Sequence, residues 1–214
     1  MKRYSFPLDE RLVKEFFNPI RSKKDVVSLL MKSIKIMLIN DTVDKCRVRG
    51  EIILIVSKMS RLFYFTENKF FSITFPFLVY ESDGELEFSS KTVKIIDSKV
   101  TSDVIGVISK NGFQDVECAL EFVDPIVEIA DFEQLFWPFI LNLFMYEDGY
   151  IRYDYDEKYE DGDHHPLNHY DIFYSSLATF KVGLRNRLEA DSMLDFLDSN
   201  SICNYLECTK YKKC

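Results

Sequence analysis

Residues 150–156 read Tyr-Ile-Arg-Tyr-Asp-Tyr-Asp, a stretch in which apolar and charged side chains alternate after the first residue. Successive side chains of a β-strand point to opposite faces, so this alternation predicts a strand. One face of the strand carries the apolar side chains of Ile151, Tyr153 and Tyr155. The opposite face carries the charged side chains of Arg152, Asp154 and Asp156. We therefore expect one side of a sheet to present these three charged groups together.

Further strands are predicted on both sides of this segment. Residues 69–80 alternate with aromatic and branched side chains, and Pro76 in that run indicates a sheet edge or a bulge. Ser82-Asp83-Gly84 predicts a turn. In the strand predicted at 178–184, the side chains that are expected to face inward are those of Ala178, Phe180, Val182 and Leu184. The remaining strands are predicted at 47–57, 85–96, 115–123 and 170–174.

Helical periodicity dominates the first forty residues. Residues 9–17 form an amphipathic segment that Asn18-Pro19 ends. Ser22 and Asp25 form a capping box, which predicts that a second helix begins there and continues to Asn40.

More helices are predicted further along the chain. Residues 101–110 end at Asn111-Gly112, a pair typical of a left-handed helix cap. Asp131 and Gln134 begin an apolar helix that continues to about residue 146 and is expected to be core or to dock a partner. The last predicted helix covers 190–197.

Together these elements predict an α+β fold. It has a mixed, mostly antiparallel sheet, with N-terminal helices and an apolar helix packed on it. No repeat, low-complexity tract or flexible linker interrupts the 214 residues. We therefore expect a single domain over 1–214, with residues 199–214 as a C-terminal tail.

The composition indicates what kind of partner the chain can have. With 19 Phe and 12 Tyr, the aromatic fraction reaches 15%, which favours a heavily aromatic core or an adhesive partner surface. A formal net charge of -8 argues against duplex DNA as a partner, because duplex binding needs basic groups that displace counterions. RNA is still a candidate, since a basic cleft can lie on an acidic protein.

The sequence also predicts the compartment. No apolar run approaches the roughly 20 residues that span a bilayer, and the N-terminal residues lack the apolar stretch of a signal peptide. We therefore expect a soluble, cytoplasmic protein without membrane contact. Cys46 and Cys118 are predicted to be buried thiols in strands. The other cysteines, Cys203, Cys208 and Cys214, are spaced too widely for a zinc knuckle.

All the histidines of the chain fall close together and follow an acidic stretch. The first interpretation of this cluster is a divalent metal site, because imidazole and carboxylate suit zinc, manganese or iron. Its candidate ligands are His164 or His165, His169, and one of Asp154, Asp156 and Asp171. Pro166 excludes a helix between the histidines, so spacing alone does not bring their rings together.

The second interpretation is metal-free acid–base catalysis. Two imidazoles can remove and return a proton near neutral pH, and Arg152 or Lys181 can hold a phosphate. This combination suits cleavage of RNA through its own 2′-hydroxyl. The candidate catalytic residues are Arg152, Asp154, His164, His165 and His169.

The third interpretation is structural. An aspartate-rich loop that closes a β-hairpin is usually a solvated surface. In that case His165-Pro166 shapes the turn, and His169 bonds a buried backbone group.

The same residues resemble an uncharacterised bacterial domain family. Its members have an Arg-[Phe/Tyr]-Asp-Tyr-Asp strand, a gap, His-Pro-x-x-His, and then a strand with Arg-Ile-Pro. Residues 151–156, 164–169 and 180–182 carry the resemblance, which is tight over 150–197. A turn and strand like those at 82–88 also occur in the family. This chain differs from the family at Lys181, where the family has Arg, and at Gly183, where it has Pro.

The family has no assigned activity, so the resemblance implies no catalytic residue. It implies a genetic setting near mobile elements, anti-phage systems and toxin–antitoxin systems. We therefore expect a partner-binding subunit of such a bacterial system, with a protein partner encoded by a neighbouring gene. The alternative is a small RNA-cleaving nuclease or a metal-dependent hydrolase, with either no cofactor or a divalent metal. A likeness to small toxin proteins with a Tyr/Asp strand followed by Pro-His-x-His favours the nuclease.

Overall fold

The computed structural model of the chain describes residues 1–40, 43–109, 136–175, 178–198 and 200–202. The strands are β1 (Lys2–Leu8), β2 (Gly50–Val56), β3 (Arg61–Phe65), β4 (Lys69–Thr74), β5 (Leu78–Ser82), β6 (Glu85–Ser89), β7 (Ile151–Tyr155), β8 (Asn168–Ser175) and β9 (Ala178–Gly183). The helices are α1 (Glu10–Phe16), α2 (Lys23–Ile39), α3 (Ser98–Ser109), α4 (Phe136–Met145) and α5 (Ala190–Phe196). The predicted α+β class is therefore confirmed.

A seven-stranded sheet in the order β1-β2-β3-β4-β7-β8-β9 forms the centre of the fold, and its neighbouring strands pair antiparallel. Strands β5 and β6 form a separate hairpin. One face of the large sheet, the α2 face, packs with α2, α3 and α4 in the larger apolar core. The other face, the α5 face, packs beneath α5, whose Met193 is fully buried. Both faces are thus covered over much of the sheet.

The long predicted strand at 69–80 is divided in the structure. It ends as β4 at Thr74 and resumes as β5 at Leu78, so Pro76 lies between a strand of the large sheet and a strand of the hairpin. Proline cannot donate to a strand ladder, which is consistent with the break at this point. The predicted turn after β5 is confirmed: Asp83 and Gly84 have φ angles of 53° and 84°, as a tight hairpin with two left-handed residues requires.

Two strands were not predicted, and two side chains were placed wrongly. Strand β3 is buried at all its positions, so it shows no alternation in the sequence, and β1 also lacked a recognisable signal. Cys46 is exposed in a short 3₁₀ turn, because the strand begins only at Gly50. Phe180 is exposed rather than inward-facing, because β9 is the last strand of the sheet.

Several predicted features lie outside the described residues. These are the strand at 115–123 with Cys118, the cap at Asn111-Gly112, the helix start at Asp131 and Gln134, and the cysteines Cys203, Cys208 and Cys214. None of the helices in the described ranges combines the length and the apolar composition needed to cross a bilayer.

A buried hydrogen bond joins α2 to the centre of the sheet. The Ser33 hydroxyl lies 2.8 Å from the Leu29 carbonyl oxygen and 2.7 Å from the Tyr64 hydroxyl oxygen. A hydroxyl has one proton, so Ser33 donates to Leu29 and accepts from Tyr64. The Tyr64 ring also stacks on Phe71, with centroids 4.3 Å apart. This bond therefore satisfies the one polar atom of a fully buried aromatic side chain.

We expect the substitution Ser33→Ala to lower the free energy of unfolding by about 2 kcal/mol, because it leaves the Tyr64 hydroxyl buried and unsatisfied. The double variant Ser33→Ala/Tyr64→Phe should recover most of this loss, because neither polar group is then present. Urea unfolding followed by circular dichroism measures both. A double variant that is destabilised by the sum of two full losses would contradict the assignment.

Candidate functional site

Charged side chains from three neighbouring strands meet on the α2 face. Arg152 on β7 pairs in register with Asp171 on β8, which in turn pairs with Lys181 on β9. Two residues further along β7, Asp154 pairs with His169. Cross-strand partners place their side chains on the same face of a sheet, so the register gathers these groups. We call Arg152, Asp154, His169, Asp171 and Lys181 the strand-face cluster.

The charges of the strand-face cluster neutralise one another. The Arg152 guanidinium donates to Asp154 Oδ2 from Nε at 2.5 Å and to Asp171 Oδ2 from Nη2. Lys181 Nζ donates to Asp171 Oδ1 at 2.8 Å. Burial alone would lower the pKa of Arg152, but Asp154, Tyr150 and Asp171 together raise it above its ordinary value. Two cations therefore balance two carboxylates within a few ångströms.

His169 is held in one tautomer by its two neighbours. Its Nδ1 lies 2.7 Å from the Pro166 carbonyl oxygen, which can only accept, so Nδ1 carries the proton. Its Nε2 lies 3.0 Å from Lys181 Nζ, and the ammonium donates to that lone pair. The His169 side chain is only 1% exposed. The predicted role of His169 as a partner of a buried backbone group is thus met by the Pro166 carbonyl.

The histidine loop folds back over the cluster. The His165 ring packs edge-on against the His169 ring with centroids 4.7 Å apart, and His165 Nε2 lies 3.4 Å from Asp156 Oδ2. Pro166 lies over Gly183, where a Cβ atom would be 3.0 Å from Pro166 Cγ. Glycine at 183 therefore makes room for the loop.

His164 lies apart from this packing. It is exposed in the turn between Asp161 and His165, and its backbone N–H donates to the Asp161 carbonyl oxygen at 3.0 Å. The structure thus brings Arg152, Asp154, His165 and His169 together, and leaves the His164 side chain toward solvent.

Sequence reasoning missed one member of this region, Lys69. It begins β4 and pairs in register with Asp154. Burial and the nearby Arg152 guanidinium lower the pKa of Lys69. Its ammonium has no ion pair or hydrogen bond within the described residues. Its strand was predicted, but Lys69 and its partner Asp154 are 85 residues apart in the sequence, so their pairing leaves no local signal.

A divalent metal would have to compete with these cations. Donor atoms of Asp154, His169 and Asp171 all lie within 4.8 Å of one another, which is close enough to hold an ion. Arg152 and Lys181, however, already engage the same carboxylates and His169 Nε2. A metal ion would have to displace the Arg152 guanidinium and the Lys181 ammonium from these ligand atoms. It would then lie close to the positive charges of Arg152, Lys181 and Lys69. The donor set as arranged therefore fits an ion-pair network better than a metal site.

No protein-family model, curated protein or solved structure matches the chain.

We expect Asp171→Asn to lower the free energy of unfolding by about 3 kcal/mol, because it leaves Arg152 and Lys181 without their shared, buried counter-ion. The matched control is Asp156→Asn, which removes a half-exposed carboxylate beside His165 and should cost less than about 1 kcal/mol. Equilibrium unfolding in urea at neutral pH compares the two. Equal losses for both variants would show that the network does not stabilise the sheet.

Proposed function

We propose that the chain is the binding subunit of a two-protein system, and that α4 and the neighbouring residues 76–80 dock the partner. The observation that carries this proposal is the composition and exposure of α4. Its ten residues, Phe-Trp-Pro-Phe-Ile-Leu-Asn-Leu-Phe-Met, include a single polar side chain. A helix that is apolar on all sides is normally buried on all sides. In α4, however, Leu141 is 37% exposed and Met145 is 75% exposed.

An apolar groove lies beside the exposed side of α4. Its volume is about 360 Å³, and it runs between the helix and the segment that connects β4 to β5. Phe139, Leu143 and Met145 line it from the helix, and Pro76 lines it from the opposite side. Beyond Pro76, alternate residues Leu78 and Tyr80 are more than half exposed. An apolar surface of this kind with a polar rim is typical of a docking site.

Charged side chains of both signs lie near the groove: Lys91 lines it, and two exposed glutamates lie on the hairpin formed by β5 and β6. Glu87 lies opposite Tyr80 on the hairpin, Glu85 lies opposite Ser82, and both glutamates are exposed. The chain as a whole carries a formal net charge of -8. Complementary potentials favour association, so we infer a partner that inserts an apolar segment flanked by lysine or arginine.

The source of the partner follows from the resemblance over residues 150–197. The family that these residues resemble occurs beside anti-phage and toxin–antitoxin genes. We therefore propose that the partner is the product of a neighbouring gene in such a system.

The strand-face cluster is less suited to catalysis than the groove is to binding. A general base must reach the proton that it removes from a substrate. His169 is 1% exposed and already bonded at both ring nitrogens. The charges of Arg152 and Asp171 are likewise used within the cluster.

Placing a carboxylate on the proposed docking surface, in the groove at Met145 or beside it at Leu78, tests the binding proposal. We expect Leu78→Asp and Met145→Asp each to weaken the complex at least about 30-fold, because burying an unpaired carboxylate costs about 2 kcal/mol or more. The chain is co-expressed with the product of the neighbouring gene, and the complex is followed by size-exclusion chromatography and calorimetry.

The matched control for these variants is Tyr159→Asp. Tyr159 is also a large exposed side chain, but it lies in the acidic loop, so the complex should be retained. Circular dichroism checks that all the variants are folded. The proposal would be contradicted if the complex tolerates both Leu78→Asp and Met145→Asp, or if the wild-type chain does not bind the product of the neighbouring gene.

A metal-free RNA-cleaving site is the second candidate function, and the state of the two lysines favours it. The Lys69 ammonium has no partner within the described residues, and Lys181, with a side chain 36% exposed, uses two of its three N–H groups. Both can hold a phosphate. In this reaction the 2′-oxygen attacks phosphorus and its proton passes to a base. The 5′-oxygen leaves with a proton from an acid, and the imidazoles of His165 and His169 are the candidates for these transfers. For His169 this requires that Lys181 leaves Nε2 when it binds the phosphate.

The RNA-cleaving candidate is tested with a fluorescent oligoribonucleotide in the presence of EDTA. We expect Lys181→Ala, His165→Ala and His169→Ala each to reduce the cleavage rate at least about 100-fold, as loss of an acid or base does. His164→Ala is the control and should cleave like the wild type, because His164 lies in the exposed turn. Unchanged rates in the first three variants, or loss of wild-type cleavage in EDTA, would exclude this mechanism.

A further inference from the structure

A cavity lies on the α5 face of the sheet, away from the groove and from the strand-face cluster. Its volume is about 240 Å³, and it lies between α5 and the strands β1, β2 and β3, with one side open to solvent. Ile55 and Phe63 line it from the sheet, and Leu194 and Leu197 line it from the α5 side. Most of its inner wall is therefore hydrocarbon.

One positively charged side chain lies in this apolar surrounding. Arg61 is only 5% exposed and lines the cavity. Its Nε donates to Ser72 Oγ at 2.9 Å, and its Nη2 donates to the Gly149 carbonyl oxygen. Both acceptors are neutral. A guanidinium has five N–H groups, so these two bonds leave donors unused within the described part of the chain.

Arg61 also has no counter-ion among the residues that the structure describes. Burial lowers the pKa of Arg61 to about 10, and no acidic group raises it again. The side chain is therefore still positively charged at neutral pH. Burying a charge without a paired anion is costly, and proteins normally avoid it. Such a group suggests a site that an anion completes.

The remaining charged side chains around the cavity are more exposed than Arg61. Arg3 on β1 and Arg61 on β3 flank Ile55 in one cross-strand row, and Arg3 is exposed. Asp191 and Asp195 on α5 also line the cavity and are exposed, and Asp198, which follows α5, lines it and is half-buried. These acids repel a second negative charge at the entrance. A ligand should therefore carry one anionic group, and that group should lie at the inner end.

We propose that this cavity binds a small organic monocarboxylate, with its carboxylate on Arg61 and its apolar body against Phe63 and Leu194. Carboxylate and guanidinium form charge-assisted, often bidentate hydrogen bonds, which the unused Arg61 donors can supply. The cavity has the liquid volume of about eight water molecules, below the roughly 300–1,000 Å³ of pockets for drug-sized ligands. A short aliphatic or single-ring acid fits this size.

Hexanoate and phenylacetate are suitable probes, and hexanamide and phenylacetamide are their uncharged counterparts of nearly the same shape. Binding to the full chain is followed by two-dimensional NMR of amide and methyl signals. We expect both acids to bind with saturable shifts below about 10 mM, and each amide to bind at least about tenfold more weakly, since it lacks the charge that pairs with Arg61.

The variant Arg61→Met separates ligand binding from structure. Replacing an uncompensated buried charge with an apolar side chain of similar length should keep or raise the melting temperature of the ligand-free protein. The same variant should lose acid binding at least about tenfold. Arg11→Met, at an exposed arginine on α1, is the control and should bind like the wild type. Arg61→Lys retains the positive charge and should bind the acids more weakly than the wild type but more tightly than Arg61→Met.

Three results would overturn the proposal: equal binding of acids and amides, acid binding retained in Arg61→Met, or no saturable shift with either acid. If Arg61→Met does not fold, the comparison of each acid with its amide decides alone. Because the cavity and the α4 groove lie on different faces of the sheet, Arg61→Met should leave binding of the protein partner unchanged. Failure of one proposal can thus be distinguished from failure of the other.

Discussion

The antiparallel register of β7, β8 and β9 governs both faces of one end of the sheet. On the α2 face it lines up Arg152, Asp171 and Lys181, so that charges of alternating sign are neighbours. On the α5 face it places Tyr153 beside Tyr170, above Met193. A slip of one residue would exchange the two faces, burying the charges beneath α5 and exposing the tyrosines. Ion pairing and aromatic packing therefore favour the same register.

Buried charged side chains have different kinds of partner on the two faces of the sheet. In the strand-face cluster each described carboxylate has a cationic partner, so the charges stabilise one another and have little capacity left for a substrate. Arg61 on the α5 face is 5% exposed and donates only to neutral acceptors among the described residues. Residues that weaken a fold without compensation are characteristic of functional sites. By this criterion the cavity beneath α5 and the exposed side of α4 point to binding more strongly than the histidines do.

The candidate site was only partly predictable. Alternation in residues 150–156 placed Arg152 and Asp154 on one face, and they lie there. The contact between His165 and His169 was not predictable, because Pro166 excludes a helix and the rings meet through a folded loop. Lys69 joins the region through a strand that is distant in sequence. Cys46 was placed in the core because apolar neighbours were interpreted as a strand that in fact begins at Gly50.

The sequence by itself determined the α+β class, the capped helix α2, the hairpin turn at Asp83-Gly84 and the two faces of β7. Each of these depends on residues within a few positions of one another, where backbone preference and side-chain period act directly. Only the tertiary structure decided that Lys181 bonds His169, that Arg61 is buried with only neutral acceptors in the described part of the chain, and that α4 leaves Met145 exposed. These features depend on which strands pair and which helix covers which face. Strand pairing and packing join residues far apart in the chain, so no local pattern encodes them.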